Sequence, residues 1–216
     1  MAAPCSSTPM PPHARWPSPG RGPPEGSGGM TALLFAMVGS FLVAAGARDQ
    51  KMVAYLRAAL GASPALLGVG IVSAVLTAAI AAYAGAYLSA TMSEDAATMF
   101  IAIALLLAAA ELAWPDKSKP PAEPTRSLGA IFIVLFARQL TDGSRFLIAA
   151  FSAVLASPVL AGIGGALGGA AAVAVGWAMG SELEARLPLR AMRLGFAALL
   201  LLPAIYLGLS ARGIAG

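Results

Sequence analysis

Charge, histidine and cysteine are all scarce in this sequence, and each scarcity closes off a class of protein. Only 11% of the 216 residues are charged, against about 25% in a soluble domain, and the mean hydropathy is +0.79. No polar helix faces remain to meet water, which excludes a soluble helical protein. Alternation of polar and apolar residues is also missing, which excludes a transmembrane β-barrel. Cys5 is the single cysteine, so no internal disulfide can form. His13 is the single histidine, and both residues lie in a proline- and glycine-rich tail. Metal or haem centres built on His and Cys, and hydrolases built on Cys or Ser with His, are excluded with them. No G-x-x-x-x-G-K-S/T, H-E-x-x-H or strand-linked G-x-G-x-x-G motif occurs, and no enzyme is indicated. The net charge of +4 comes without a basic patch interleaved with aromatics, so no nucleic-acid partner is expected. In a membrane protein such a balance marks loops held against an anionic leaflet.

What the chain does have is a succession of alanine-, leucine- and glycine-rich runs, each near the ~20 residues that span a bilayer as a helix. The lipid bilayer is therefore its first expected partner. Residues 1–29 form a Pro/Gly-rich tail that cannot hold a helix or pack a core. It has no apolar core of its own and is not a signal peptide; Met30, which opens the first apolar run, is a candidate translation start. Helix 1 is expected from about Thr31 to Ala59, interrupted by Arg48-Asp49-Gln50-Lys51. Pro64 opens helix 2, which runs to about Thr91, and after the acidic turn Ser93-Glu94-Asp95 helix 3 reaches Trp114. Residues 115–127 are a charged, proline-rich linker. Helix 4 spans about Leu128 to Leu155, interrupted between Arg138 and Arg145. Pro158 opens helix 5, ending near Ser181, and helix 6 follows Pro188 to about Ser210.

Residues 62–70 (ASPALLGVG) and 156–164 (ASPVLAGIG) share A-S-P-x-L-x-G-x-G without a gap, with Pro64 and Pro158 placed 94 residues apart. The expected fold is an all-α membrane protein of six transmembrane helices in two repeats, residues 30–114 and 128–216. Three spans is an odd number, so the second half crosses in the opposite sense, an inverted repeat whose site lies where the halves meet. Arg57, Lys117, Lys119, Arg126, Arg186, Arg190 and Arg193 fall on one side, and Arg15, Arg21 and Arg212 on the other. The first side is expected in the cytoplasm and both termini outside it.

A charge inside a transmembrane helix costs at least ~2.5–3.5 kcal/mol and usually faces a cavity or a partner. Two stretches carry such charges: Arg48, Asp49 and Lys51 in helix 1, and Arg138, Asp142 and Arg145 in helix 4, with Gln139, Thr141 and Ser144 adding neutral oxygens. They read either as a polar binding site or as ion pairs stitching the halves, Arg48 with Asp142 and Asp49 with Arg145. Counted together, four cations outnumber two acids, a net positive centre that favours an anion or zwitterion. Glu111 near the end of helix 3 is a proton-linked acid or a residue reaching the interface. Glu94 and Asp95 read as a solvated turn, or as an outer mouth that attracts cations. The small-residue run 162–180 permits close helix contact. Trp114 reads as an interfacial anchor and Trp177 as a packing residue.

The stretch FARQLTDGSRFLIAAFSA (136–153) resembles the signature helix of the GDT family, cation/proton antiporters of Golgi, thylakoid and bacterial membranes that handle Mn²⁺ and Ca²⁺. Each half of that family carries E-x-G-D-K/R-S/T followed by an alanine-rich helix. Asp142 and Ser144 match; Gln139, Thr141 and Gly143 stand at the Glu, Gly and basic positions. FLVAAGARDQKMVAYLRAAL (41–60) sits where the other copy belongs. There the repeat offset lays Ala45, Ala47, Arg48, Asp49 and Gln50 on the Glu, Gly, Asp, basic and hydroxyl positions, so neither acid position holds an acid. A one-residue slide aligns Gly46 and Arg48 instead and leaves Ala44 and Ala47 for the acids. The resemblance covers the chain from Met30 onward. It implies a secondary transporter in a bacterial inner membrane, exchanging a small cation for protons. The implied ion-binding residues are Asp142, Gln139, Ser144, Thr141 and Asp49, with Asp142 as metal ligand and proton carrier. Arg48, Arg138 and Arg145 are implied ion pairs or gates. Mn²⁺ or Ca²⁺ would be cargo rather than a resident cofactor, and a homodimer is compatible with the architecture. The alternatives are a family relative that has lost transport and serves a structural or partner-binding role, and an organic-ion exporter.

Overall fold

The computed structural model of the chain describes residues 27–115 and 127–213; Cys5, His13, Arg15, Arg21 and linker residues 116–126 lie outside them. Among the described residues all regular structure is α-helical: α1 (Ser27–Ala44), α2 (Arg48–Leu60), α3 (Pro64–Ser89), α4 (Glu94–Ala113), α5 (Leu128–Leu140), α6 (Gly143–Val154), α7 (Pro158–Met179), α8 (Glu182–Arg186) and α9 (Leu189–Ser210). Pro64 and Pro158 occupy the first position of α3 and α7, where a helix N–H has no acceptor and the ring's fixed φ is already helical. Ser93 and Ser127 accept hydrogen bonds from the backbone N–H groups of Ala96 and Ala130, capping α4 and α5. Glu94 and Asp95 fill the exposed first turn of α4, where acids meet the positive end of the helix dipole.

Four helices, α3, α4, α7 and α9, are long and apolar enough to cross a membrane, and the bent pair α1–α2 makes a fifth if counted as one span. The polar interruptions expected in helices 1 and 4 are true breaks. α1 and α2 meet at a 61° bend, through Gly46 at φ 77°, a left-handed conformation that glycine adopts without strain. The expected fourth helix is instead two short ones: at 1.5 Å per residue α5 and α6 are each ~20 Å long or less, short of the ~30 Å hydrocarbon core. Short α8 lies between the end of α7 and Pro188, a segment to which the sequence assigned no element.

α3 and α7 pack against each other. α1 lies on α7 and α5 on α3, α4 pairs with α9, and α6 contacts α1, α3, α4 and α7. Val53, Leu56, Leu66, Ile131, Leu135 and Val173 form one apolar core, with Trp177 against it. A second core joins α1, α4, α6 and α9 through Ala36, Leu105, Leu147 and Leu200. The outward faces remain apolar: Val72, Leu76 and Ile80 on α3, Ile103 and Leu106 on α4, and Leu199 and Leu202 on α9 are all exposed. So wide an apolar surface is a liability in water and the natural exterior of a helical membrane protein.

Small residues set how closely these helices approach. A Cβ on Gly164 or Gly168 of α7 would collide with the carbonyl oxygens of Leu33 or Met37 on α1, so backbone lies on backbone, as the small-residue run suggested. Gly168→Val is expected to lower stability by about 1–3 kcal/mol through overpacking, seen as a lower thermal midpoint in detergent. Gly68→Ala, whose added Cβ meets nothing within 4 Å, should not destabilise the protein, and relieves the ~0.5–1 kcal/mol cost of glycine inside a helix.

Candidate functional site

A polar side chain inside this alanine-rich bundle costs free energy unless it finds a partner there. The two helix breaks supply the means. Each creates an internal helix N-terminus, with unpaired N–H groups and the positive end of a dipole. Each places a buried acid there: Asp49 in the first turn of α2 and Asp142 at the N-cap of α6.

From Asp142 a continuous polar chain runs across the bundle. Ser144 Oγ donates to Asp142 Oδ2 at 2.7 Å and accepts from Arg145 Nη1 at 2.9 Å. Arg145 Nε donates to Thr77 Oγ1 on α3 at 2.8 Å, and Thr77 donates to the Ser73 carbonyl at 2.8 Å. Ser73 Oγ donates to Gln139 Oε1 on α5 at 2.8 Å; the buried Gln139 Nε2 has no partner among the described residues. Arg145 also lies in the electrostatic field of both Asp142 and Asp49, and these two acids feel each other. From α4, Glu111 is an electrostatic and hydrogen-bonding neighbour of Asp142, and its Oε2 accepts from Gly143 N at 2.7 Å. Gln50 secures the other break, accepting from Gly46 N at 2.6 Å and donating to the Ala172 carbonyl of α7 at 2.8 Å.

Five of the sequence-predicted residues, Asp142, Ser144, Arg145, Gln139 and Asp49, therefore meet in one buried region. Three do not. Arg48, Arg138 and Thr141 are exposed, and the Thr141 hydroxyl returns to the carbonyls of Ala137 and Arg138 on its own helix. Lys51 pairs with Glu184 of α8 at 3.5 Å. The net positive centre expected from the charge count is thereby corrected: Arg145 stands there against Asp49, Asp142 and Glu111. The reason is helical geometry. At 3.6 residues per turn, successive side chains diverge by about 100°, so burying Asp49 turns Arg48 outward, and burying Gln139 turns Arg138 outward.

Ser73, Thr77 and Gln50 were not singled out as site residues. Ser73 and Thr77 carry a signal, two hydroxyls at i and i+4 on one face of an apolar span, but such residues ordinarily bond their own helix and read as bland. Among the described residues no three His, Cys, Asp or Glu side chains group closely enough to hold a metal ion; the immediate neighbours of the Asp142 carboxyl are Ser144, Arg145 and Glu111.

Arg145→Met would leave the buried acids without their cation and is expected to destabilise the protein by about 3–5 kcal/mol. Adding Asp142→Asn to it should recover part of that loss in the same detergent unfolding experiment. Thr77→Val, which removes a hydrogen bond to a charged group, should cost about 1.5–3 kcal/mol. Arg138→Gln, on the exposed face, should change stability by no more than about 0.5 kcal/mol.

No protein-family model matches this chain, and neither a curated protein nor a solved structure does.

Proposed function

We propose that the chain is a secondary transporter that exchanges a small hard cation, Mn²⁺ or Ca²⁺ by its resemblance to the GDT antiporters, against protons at the buried centre. The observation that carries this reading is the burial of Asp49 and Asp142 at the two helix breaks, with Arg145 in the field of both and Glu111 of α4 seated against Gly143 beside Asp142. Hard cations take several oxygen ligands, carboxylates among them; Asp142 is the carboxylate proposed to bind the cation, with Ser144 beside it. Since no three acids among the described residues group closely enough to hold a metal ion, the remaining oxygens would have to come from movement or water. A set of acids gathered in an apolar interior needs positive charge at every stage of a cycle. Arg145, a bound cation or protons can each supply it, and competition among them is what couples cation movement to proton movement.

The architecture that supports this mechanism is six spans in two inverted halves, with α1–α2 and α5–α6 as broken spans. α2 and α6, α3 and α7, and α4 and α9 begin 94 or 95 residues apart, and broken helices at a midplane site are a recurring transporter device. The bundle end that gathers Arg57, Arg186, Arg190 and Arg193 faces the cytoplasm on this reading, with both termini outside, in a bacterial inner membrane.

A second reading, a membrane scaffold without transport, draws support from Arg145 itself, whose Nε and Nη1 are both held as a static clamp would hold them. The organic-ion exporter draws less support, because Arg48 and Arg138 are exposed. Proteoliposomes carrying an internal pH dye test the antiport reading. Mn²⁺ or Ca²⁺ gradients should drive proton movement in the parent, and Asp142→Asn should slow it about tenfold or more, a loss of ~1.4 kcal/mol of barrier stabilisation. A folded parent that moves no protons under either gradient would overturn that reading.

A further inference from the structure

Helix α9 opens on basic residues where a helix N-terminus ordinarily takes acids. Arg190 and Arg193 lie within its first turns, no acid is present there, and Pro188 supplies no side-chain cap. The unpaired N–H groups at that end already carry partial positive charge, so two arginines beside them are unfavourable unless an anion joins them. Lys51 of α2 adds a third cation. The three line one cleft of about 100 Å³ between the end of α4 and the start of α9, with Leu112, Trp114 and Leu194 among its walls and, among the described residues, no acid in its lining.

Arg193 is the built element of this cleft. It is 8% exposed, and its Nη2 donates to the carbonyls of Glu111 at 2.9 Å and Trp114 at 3.1 Å. Its buried Nε has no partner among the described residues. The guanidinium is thus pinned to the C-terminal end of α4, whose carbonyls carry partial negative charge and offset part of its own. Lys51 has Glu184 at 3.5 Å, but that carboxylate is 68% exposed and lies outside the lining. Beside the cleft the surface turns apolar: Trp114 is 69% exposed, and Leu194, Leu201, Leu202 and Ile205 are exposed at i, i+7, i+8 and i+11 along α9, one continuous face of the helix.

We propose that this cleft binds the phosphate of an anionic phospholipid, with an acyl chain lying along the exposed stripe of α9. Phosphate suits the donor set, since arginine pairs with it through several N–H groups and lysine as a point charge. Basic pockets between membrane helices are sites of this chemistry, and the exposed tryptophan sits where indoles prefer to lie, at the headgroup level. The proposal needs the bundle to sit in a bilayer and is independent of whether the buried centre transports anything.

The purified full chain in detergent, titrated with phosphatidylglycerol, phosphatidylcholine or inorganic phosphate, tests it by thermal unfolding and native mass spectrometry. Phosphatidylglycerol should be retained and raise the unfolding midpoint, whereas phosphatidylcholine and inorganic phosphate at equal concentration should not. Arg190→Gln combined with Lys51→Gln, which spares the buried Arg193, should weaken phosphatidylglycerol retention about tenfold or more. Arg212→Gln, at the far end of α9, should retain it like the parent. Equal stabilisation by phosphatidylcholine, equal stabilisation by inorganic phosphate, or full retention by the double variant would each overturn the proposal.

Discussion

The burial of Arg145 is the constraint around which the rest of the bundle is arranged. A guanidinium in an interior of alanine, glycine and leucine loses its hydration, and removing its partners would cost several kcal/mol. It persists because four elements converge on it: Ser144 from its own helix, Thr77 from α3, Asp142 from the break before α6 and Asp49 from α2. That convergence requires helices closer than ordinary side chains allow. Glycines provide the room: Gly85 brings α3, which carries Thr77, onto the backbone of α6 at Ala149, and Gly164 and Gly168 bring α1 onto α7. Small residues and buried charge are in this sense one design.

The helix breaks complete it. An unbroken span satisfies its own backbone and offers an interior nothing but side chains. The breaks between α1 and α2 and between α5 and α6 turn helix N-termini inward and make them favourable places for acids. Asp49 and Asp142 occupy those places, and Gln50 and Glu111 satisfy backbone N–H groups at the breaks. In a polar centre shared by several helices, any relative movement of α2, α3, α4 and α6 would change which charges compensate one another, the property on which the proposed transport reading rests. Arg48 and Arg138 are exposed although they stand next to residues of the centre.

Charge at the periphery follows a separate logic. Lys51, Arg190 and Arg193 gather at one end of the bundle around a cleft walled by apolar side chains and exposed tryptophan. There they meet the interface rather than the interior, and their chemistry is that of lipid phosphate rather than of cargo.

Much of this was legible in the residues alone, wherever the cause was local. The prolines at 64 and 158 start helices because their rings forbid anything upstream, the serines at 93 and 127 cap because their hydroxyls reach the third N–H, and long apolar runs become helices that exclude water. The polar interruptions marked the two breaks for the same reason, since a charge cluster cannot continue a lipid-facing helix. Tertiary structure alone decided which member of each cluster faces inward. Asp49 and Arg48 are neighbours in the chain but about 100° apart on the helix, and nothing local says which way that pair turns. The partners met by the buried residues, Thr77 for Arg145, Ser73 for Gln139 and Glu111 for the backbone beside Asp142, arrive from helices distant in sequence. Thr77 and Ser73 look unremarkable until packing places them there. The apolar architecture is thus a property of the chain's own periodicity and punctuation, whereas the polar centre is a property of how its helices meet.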